Sequence, residues 1–473
     1  MQTVQRNNKL ICIMLLFLSL FMGCASDKSG GDSATVTIQS TPYPEIANMT
    51  SQVSADLEIA GKTCTLQVDQ DTTLSGECPD LPLGAHPYTL KYRLTDTGAI
   101  LATAEGSVTI EQGKNAEISF PPLIRYPFKP VAKYNTSAGP VDLAIGDLNN
   151  DGIMDVITIN KDSDSLSVLS GSIDGSLSTA DVYLTGSDDS GRRYPGHVKL
   201  GDFNGDNNLD VVVLNSGSEN GYAGDLALFF GNGDGTLRGG DVYFQGDRPV
   251  SMAVGDLSGD GLSDIVVANS RTGEVRILFG SIGGLLTLAG SYLTGVVNEV
   301  ILGDTNEDGR LDMIVSNSLQ IAIFPGNGEG TFQTGASMAI GMVRSMVVKD
   351  VDGDVHPDLI ALIPDSPNVE VFLGNGNGTF QTGSFYATGN SPNSLALGDI
   401  DRDGHADIVT GDTEAGAIAV LYGSAGGSFM PARFYEIGGS SVAVALGDLN
   451  GDGGLDIFST IHESDLIAIL LSR

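Results

Sequence analysis

Tryptophan is absent from the 473 residues, and aromatic residues make up only 6% of the chain. Any platform for stacking sugars or bases must come from 13 Tyr and 17 Phe. Positive charge is scarce, since 24 Lys and Arg stand against 59 Asp and Glu, a formal charge of −35. Phosphate backbones are bound by basic footprints, so nucleic acid is excluded as a partner. Catalytic signatures are missing as well. There is no Gly-x-Ser-x-Gly elbow and no Walker loop. The five histidines (His86, His197, His356, His405 and His462) fall in no metal or nucleophile motif. Cysteine is limited to Cys12, Cys24, Cys64 and Cys78. The apolar run Leu10–Met22 has 13 residues, too few to span a bilayer comfortably.

What is plentiful is glycine, at 63 residues, within a chain that is 41% hydrophobic. A real core is available, and many short strands joined by tight turns would use glycine in this way. The N-terminus reads as a targeting segment, with Arg6 and Lys9 ahead of the apolar run. It ends in Phe21-Met22-Gly23-Cys24, which resembles the lipobox of bacterial lipoproteins, although Phe21 stands where Leu is usual. The resemblance implies a signal peptide over 1–23 and a lipidated Cys24 holding the protein on a membrane. Ala25 after the cysteine points to the outer membrane under enterobacterial rules. An ordinary cleaved signal peptide is the alternative. Residues 24–33 are small and polar, a flexible tether. Cys64 and Cys78 remain as an isolated pair, expected to form a disulfide in an oxidising compartment, with two free thiols as the alternative.

Two domains follow. Alternating runs such as Thr35-Val36-Thr37-Ile38 and Tyr88-Thr89-Leu90-Lys91-Tyr92 predict a small Ig-like β-sandwich over 34–122. Pro121-Pro122 and Pro127 then mark a stiff linker. The remainder, 129–473, is repetitive. An acidic motif begins at Asp147, Asp202, Asp256, Asp304, Asp350, Asp399 and Asp448, with spacings of 55, 54, 48, 46, 49 and 49 residues. About fifty residues suit four strands and their turns. Alternating strands flank each motif, a third apolar run follows, and a glycine turn such as Gly374-Asn375-Gly376-Asn377-Gly378 leads to a fourth strand. The last repeat ends after its third strand, whereas Phe128–Tyr134 precedes the first motif as a fourth strand without a blade. These observations predict an all-β chain ending in a seven-bladed β-propeller, latched by its own termini. A closed ring leaves only short, protected sheet edges.

The repeat resembles the FG-GAP and VCBS families, whose best-known members are the integrin α-subunit propellers. The motif Asp-x-Asp/Asn-x-Asp-Gly-x-x-Asp places oxygens at alternate positions of a tight loop, and a hard cation such as Ca²⁺ takes six to eight oxygen ligands. Strands flank every loop, and an EF-hand would need helices and Glu at position twelve, where Thr158 and Val267 stand. The expected ligands are Asp147, Asn149, Asp151 and Asp155; Asp202, Asn204, Asp206 and Asp210; Asp256, Ser258, Asp260 and Asp264; and Asp304, Asn306, Asp308 and Asp312. They continue with Asp350, Asp352, Asp354 and Asp358; Asp399, Asp401, Asp403 and Asp407; and Asp448, Asn450, Asp452 and Asp456. Together they hold 23 of the 59 acidic residues. Val355 at the turn position, followed by Pro357, predicts that the fifth loop is distorted or the weakest, and Ser258 predicts a weak third one. Up to seven Ca²⁺ would then clamp the scaffold.

Two repeats carry insertions on the face away from these loops, and one contains Arg192-Arg193-Tyr194, a basic and aromatic cluster in an acidic chain. Long loops on a rigid scaffold often carry function. The cluster is the expected contact for a protein or glycan partner, with a solvated surface loop as the bland reading. The function expected is a lipid-anchored envelope protein for binding or adhesion. The alternative is a calcium-dependent extracytoplasmic enzyme, either a glycan lyase or hydrolase or a phosphoesterase, because carboxylates abound. Replacing Cys24 with Ser should move the protein from the membrane fraction to the soluble fraction, and a variant that still sediments with membranes would refute the anchor.

Overall fold

The computed structural model describes residues 128–186, 193–217, 224–364 and 366–472, with strand spans also assigned within 2–125. The chain divides into two compact units, Met1–Pro127 and Phe128–Arg473. In the first, Val53–Ile59 pairs antiparallel with both Lys62–Val68 and Gly84–Leu94, and Gly84–Leu94 pairs with Ile100–Ile110. Of the leader 1–23 and the tether 24–33 only strand spans are assigned, and the two-layer packing expected for 34–122 and the side chains of Cys24, Cys64 and Cys78 lie outside what is described.

The second unit is a seven-bladed β-propeller of four-stranded antiparallel sheets. Blade 1 is built of Pro140–Gly146, Asp155–Asn160, Ser165–Leu169 and Asp181–Leu184. Blade 2 starts at Pro195–Gly201, blade 3 at Pro249–Gly255, blade 4 at Val297–Gly303, blade 5 at Ser345–Lys349, blade 6 at Pro392–Gly398 and blade 7 at Ser441–Gly447. These first strands touch one another in ring order, and that of blade 7 touches that of blade 1.

Each second strand is buried along its length, as in Asp210–Asn215. Val211 and Val213 face blade 1, packing with Ile157, Ile159 and Val168. Val212 and Leu214 face blade 3, packing with Met252, Ile265 and Val267. A strand between two neighbours needs apolar residues on both faces, which explains near-continuous Val/Ile/Leu runs where half-buried strands would alternate. The core is therefore divided into seven clusters, one at each blade junction, including the junction of blade 7 with blade 1. Each fully buried aliphatic side chain contributes about 1.5–3 kcal/mol. Most fourth strands are short and largely exposed, only Ser337–Met338 in blade 4, although that of blade 2, Leu237–Gly246, has ten residues. Short outer strands limit pairing between molecules.

The latch expected from the sequence is present. Ala132–Asn135 pairs with Leu466–Leu470, Ala132 opposite Ile469 and Asn135 opposite Leu466. Lys129 N–H donates to Leu471 O at 2.7 Å and Thr136 N–H to Asp465 O at 2.9 Å. Gly139 N–H adds a bond to Asp465 Oδ1 at 2.8 Å. Both ends of the unit thus sit in blade 7.

Inner strands are also stitched sideways by side chains. Val198 N–H donates to Asp142 Oδ2 at 3.0 Å, Val300 N–H to Ser251 Oγ at 3.2 Å, and Val444 N–H to Ser394 Oγ at 3.1 Å. In each case a polar residue on one blade accepts from the next. Among the described residues no helix is long and apolar enough to cross a membrane.

Candidate metal centre

Each of the seven motifs forms the loop between the first and second strands of its blade. The ninth residue is an aspartate at the start of the second strand, and all seven are fully buried. Its two oxygens do separate jobs. In blade 1, Asp155 Oδ2 accepts from Leu148 N–H of its own loop at 2.9 Å, and Oδ1 accepts from Gly171 N–H at 2.9 Å. Gly171 opens the turn between the third and fourth strands, so one carboxylate joins three strands. The pattern recurs at Asp210, Asp264, Asp312, Asp358 and Asp407, whose turn donors are Gly231, Gly280, Gly326, Gly374 and Gly423. In blade 7 the donor to Asp456 is Ser472, near the chain end.

The glycines are required by close approach. A Cβ on Gly171 would lie 2.1 Å from Met154 O, and one on Gly231, Gly326, Gly374 or Gly423 would lie 2.2 Å from the matching carbonyl. No side chain fits there without pushing the N–H away from its aspartate. Sequence reasoning marked these glycines only as turn formers.

The first, third and fifth positions face the loop interior. Asp147 accepts from Asp151 N–H at 3.2 Å and Gly152 N–H at 2.8 Å, Asn149 from Asp151 N–H at 2.9 Å, and Asp151 from Ile153 N–H at 2.8 Å. These bonds hold the oxygens on one side of a tight turn. In the fifth loop one oxygen each of Asp350, Asp352 and Asp358 lies within 4.8 Å of the others, and in the sixth so do those of Asp399, Asp401 and Asp403. Ser258 Oγ, third in its loop, is enclosed with no hydrogen-bond partner among the described residues. An all-oxygen donor set with an inward orphan hydroxyl fits a hard cation such as Ca²⁺.

The fifth loop is not distorted as expected. It keeps the same bonds, with Val355 N–H donating to Asp350 Oδ2 at 2.9 Å and His356 N–H to Asp354 Oδ1 at 2.8 Å. Val355 adopts a left-handed φ of 76°, as do the glycines of five other loops and Asn207 (φ 64°) of the second, and its side chain is 78% exposed. The site is open to solvent, so the cost is backbone strain of about 1–2 kcal/mol and no clash.

A second left-handed position, missed in the sequence, is the fourth. It is glycine in four loops but Asn150 (φ 60°), Glu307 (φ 61°) and Arg402 (φ 62°) in the others. Each of these three reaches the next blade's loop: Asn150 Nδ2 bonds Asn208 Oδ1 at 3.0 Å, Glu307 contacts His356, and Arg402 Nη2 bonds Asp452 Oδ1 at 2.7 Å. Backbone bonds add to this coupling. The turn of the following blade donates to the loop from Gly235 to Leu148 O at 3.2 Å, Gly283 to Asn204 O at 3.0 Å, Gly330 to Leu257 O at 2.7 Å, and Gly378 to Thr305 O at 2.9 Å.

The partner cluster expected at Arg192, Arg193 and Tyr194 divides. Arg192 and the second insertion, 218–223, lie outside the described residues. Arg193 is largely buried and forms an ion pair with Asp225, whose side chain is 1% exposed. The N–H groups of Arg193 and Tyr194 both donate to Asp164 Oδ1 at 3.0 Å. Arg193 is therefore a structural cation. Removing it would strand a buried carboxylate, a change that typically costs about 3–5 kcal/mol. Tyr194, at φ 54°, is half-buried beside it.

Burial pushes several carboxyls upward. Asp210 is raised to about 6 and Asp407 to about 7, by desolvation against the pull of their backbone N–H bonds, and neighbouring loop carboxylates add to the rise. Asp155, Asp264, Asp358 and Asp456 are raised for the same reason. Glu299, on the first strand of blade 4, is raised to about 8 by burial, opposed by Lys199 and the Met346 N–H. Its Oε2 is enclosed without a partner among the described residues.

The fold and the loops define a class, the seven-bladed propellers with an Asp-rich loop in every blade. The FG-GAP-like repeat matches residues 147–213, 202–267, 304–361 and 350–410, each window running from one loop into the second strand of the next blade. The chain belongs to the FG-GAP β-propellers. Comparison with curated proteins finds no match. Among solved structures, BBS1N in complex with ARL6DN is similar in two crystals, soaked with lead and with mercury. The identities are 12% and 10% and the TM-scores 0.53 and 0.54, each covering 74% of this chain and 98% of that one. A lectin of Agrocybe aegerita described as recognising non-reducing terminal N-acetylglucosamine matches at 18% identity and TM-score 0.46, over 63% of this chain and 80% of the lectin.

A raised carboxyl pKa means that the folded state binds more protons than the unfolded one between the unfolded value, about 4, and the folded value. Stability then falls as pH rises through that window. Metal-free protein should melt at steadily lower temperature from pH 4 to pH 8, and Glu299→Gln should flatten the upper part of that slope. Melting that rises or stays level over this range would contradict the assignment.

Proposed function

We propose that this chain is a calcium-stabilised, lipid-anchored cell-envelope protein that binds a protein or glycan partner through one face of its propeller. The observation that carries the calcium reading is the recurrence of the acidic loop at one structural position in seven consecutive blades, with three carboxylate oxygens within 4.8 Å of one another in two of them. Asp350 with Asp352, and Asp399 with Asp401 and Asp403, would hold the ion directly. Asn149, Asn204, Ser258, Asn306 and Asn450 would stand in for the third acid elsewhere. The ninth-position aspartates, already bonded to two backbone N–H groups, would contribute their remaining lone pairs. When bound, Ca²⁺ supplies positive charge that offsets the mutual repulsion of these carboxylates. Because the loops are bonded to the next blade, ion binding also stiffens the blade junctions. Chelation of calcium should lower the melting temperature by many degrees, with recovery on adding Ca²⁺. An unchanged melt after verified metal removal would refute the calcium role.

The proposed contact face is the one opposite these loops, where antiparallel geometry puts the turns between strands two and three and the links between blades. Arg193 does not serve there, being committed to Asp225. The stronger feature is apolar. Leu293 (85% exposed), Val296 (58%), Leu319 (78%) and Met342 (49%) lie on adjoining segments around blade 4. Those segments are tied by Asn317 Nδ2 to Thr294 O at 3.3 Å and Gly341 N–H to Leu319 O at 3.4 Å. Exposed clusters of this kind mark interaction sites. BBS1N, a propeller of similar fold, forms a complex with a protein, which is in keeping with a binding role here. Full-length protein should bind components of the envelope or extracellular material in solid-phase assays, and Val296→Glu with Leu319→Glu should abolish that binding without altering the melt. Binding unaffected by the pair would move the site elsewhere.

A further inference from the structure

We infer that Arg402 is a tethered cation for the seventh loop, taking the place of calcium at Asp452 and making this loop the weakest metal site of the ring. The inference rests on the calcium reading above. Asp452 is the fifth residue of its loop, one of the expected ligand positions. Here that carboxylate is already engaged: Oδ1 receives Arg402 Nη2 at 2.7 Å, Gly454 N–H at 2.8 Å and Ser472 Oγ at 3.4 Å.

A second, independent feature shows that the space is shaped for the guanidinium. The seventh residue of the loops is Ile153, Asn208, Leu262, Arg310, His356 and His405 in the first six blades and Gly454 in the last. A Cβ on Gly454 would lie 2.0 Å from Arg402 Nη2. In blades 2 and 5 the seventh residue receives the side chain reaching over from the preceding blade, Asn150 onto Asn208 and Glu307 onto His356. Only in blade 7 is that residue reduced to hydrogen, and the reaching side chain passes through to a ligand carboxylate. Arg402 holds this pose despite a left-handed backbone that favours glycine.

The chemistry follows from charge. A guanidinium is always protonated and offers fixed donors to a carboxylate. It satisfies Asp452 when calcium is absent, and a dication entering the loop must either displace it or share the carboxylate with it. The seventh loop belongs to the blade that closes the ring, and its Asp456 holds the N–H of Ser472 at 2.7 Å. The arginine therefore keeps the closing blade neutralised at calcium levels that empty the other loops.

The test is a calcium titration of the full-length wild type, Arg402→Gln and Gly454→Ala, the last placing a methyl where the guanidinium sits. Wild type should show a weakest binding step, and both variants should tighten that step about tenfold, the order expected from removing one nearby positive charge at partial exposure. Adding Asp448→Asn to Arg402→Gln should abolish the same step, assigning it to the seventh loop. In chelator, Arg402→Gln should melt below wild type, and the two should coincide at saturating calcium. Calcium bound identically by wild type and both variants would overturn the role of Arg402 alone. No calcium bound by any of them would overturn the calcium reading and this inference together.

Discussion

The buried aspartate at the ninth position of each loop is the constraint on which the propeller depends. Its two oxygens accept backbone N–H groups from separate segments, the loop before the second strand and the turn after the third. Unmade hydrogen bonds to buried backbone groups cost about 1–3 kcal/mol each, and a charged acceptor makes the bond stronger. One side chain therefore fixes the relative heights of three strands at one end of the blade. The end that carries the acidic loops is rigid because of this carboxylate, and it is buried because the rest of the blade packs over it. The raised pKa of Asp407 expresses the same conflict. The carboxylate is wanted as a double acceptor, yet burial and its loop neighbours resist its charge.

The acidic loops also belong to the junctions as much as to the blades. Their second or third carbonyl receives an N–H from the following blade at four places, and a fourth-position side chain crosses to the next loop at three. The three crossings are made by non-glycine residues in the left-handed region, so local strain is accepted in return for contact between blades. At the inner rim, Asp142, Ser251 and Ser394 repeat this sideways stitching with the same sense around the ring. The hydrophobic clusters follow the same division, lying between blades and not within them.

Much of this was legible in the sequence, because periodicity is preserved when a unit is repeated seven times. The spacing of Asp147 and its equivalents set the blade count, and Phe128–Tyr134 was recognisable as a strand lacking a blade. The division of labour inside the loop was not legible. Asp147 and Asp155 are the same residue type in one motif, and only the burial of the second separates a loop-facing carboxylate from a structural anchor. Gly171 resembled any turn glycine until its distance to Met154 O was known. Val355 looked disruptive because sequence shows the residue but not the open space beside it. Arg193 looked available because its partner, Asp225, lies 32 residues along the chain on another strand. Position four hid because glycine occupies it in only four repeats. Glu299 is an unremarkable acid in sequence, and its environment comes from Lys199 and Met346 on other blades.

The latch has a mechanical meaning. Residues before 128 join the propeller at the outer strand of blade 7, next to the end of the last inner run, with Phe128 opposite Ser472. Tension transmitted along the chain from the N-terminal unit arrives first at that edge and acts on the Lys129 to Leu471 bond before any other blade feels it. A strand held at one end by successive bonds yields one rung at a time, whereas the bond from Gly139 to Asp465, at the far end, must hold if the ring is to stay closed. Blade 7 is thus the seam of the ring, the one blade whose outer strand comes from the opposite end of the unit to its other three.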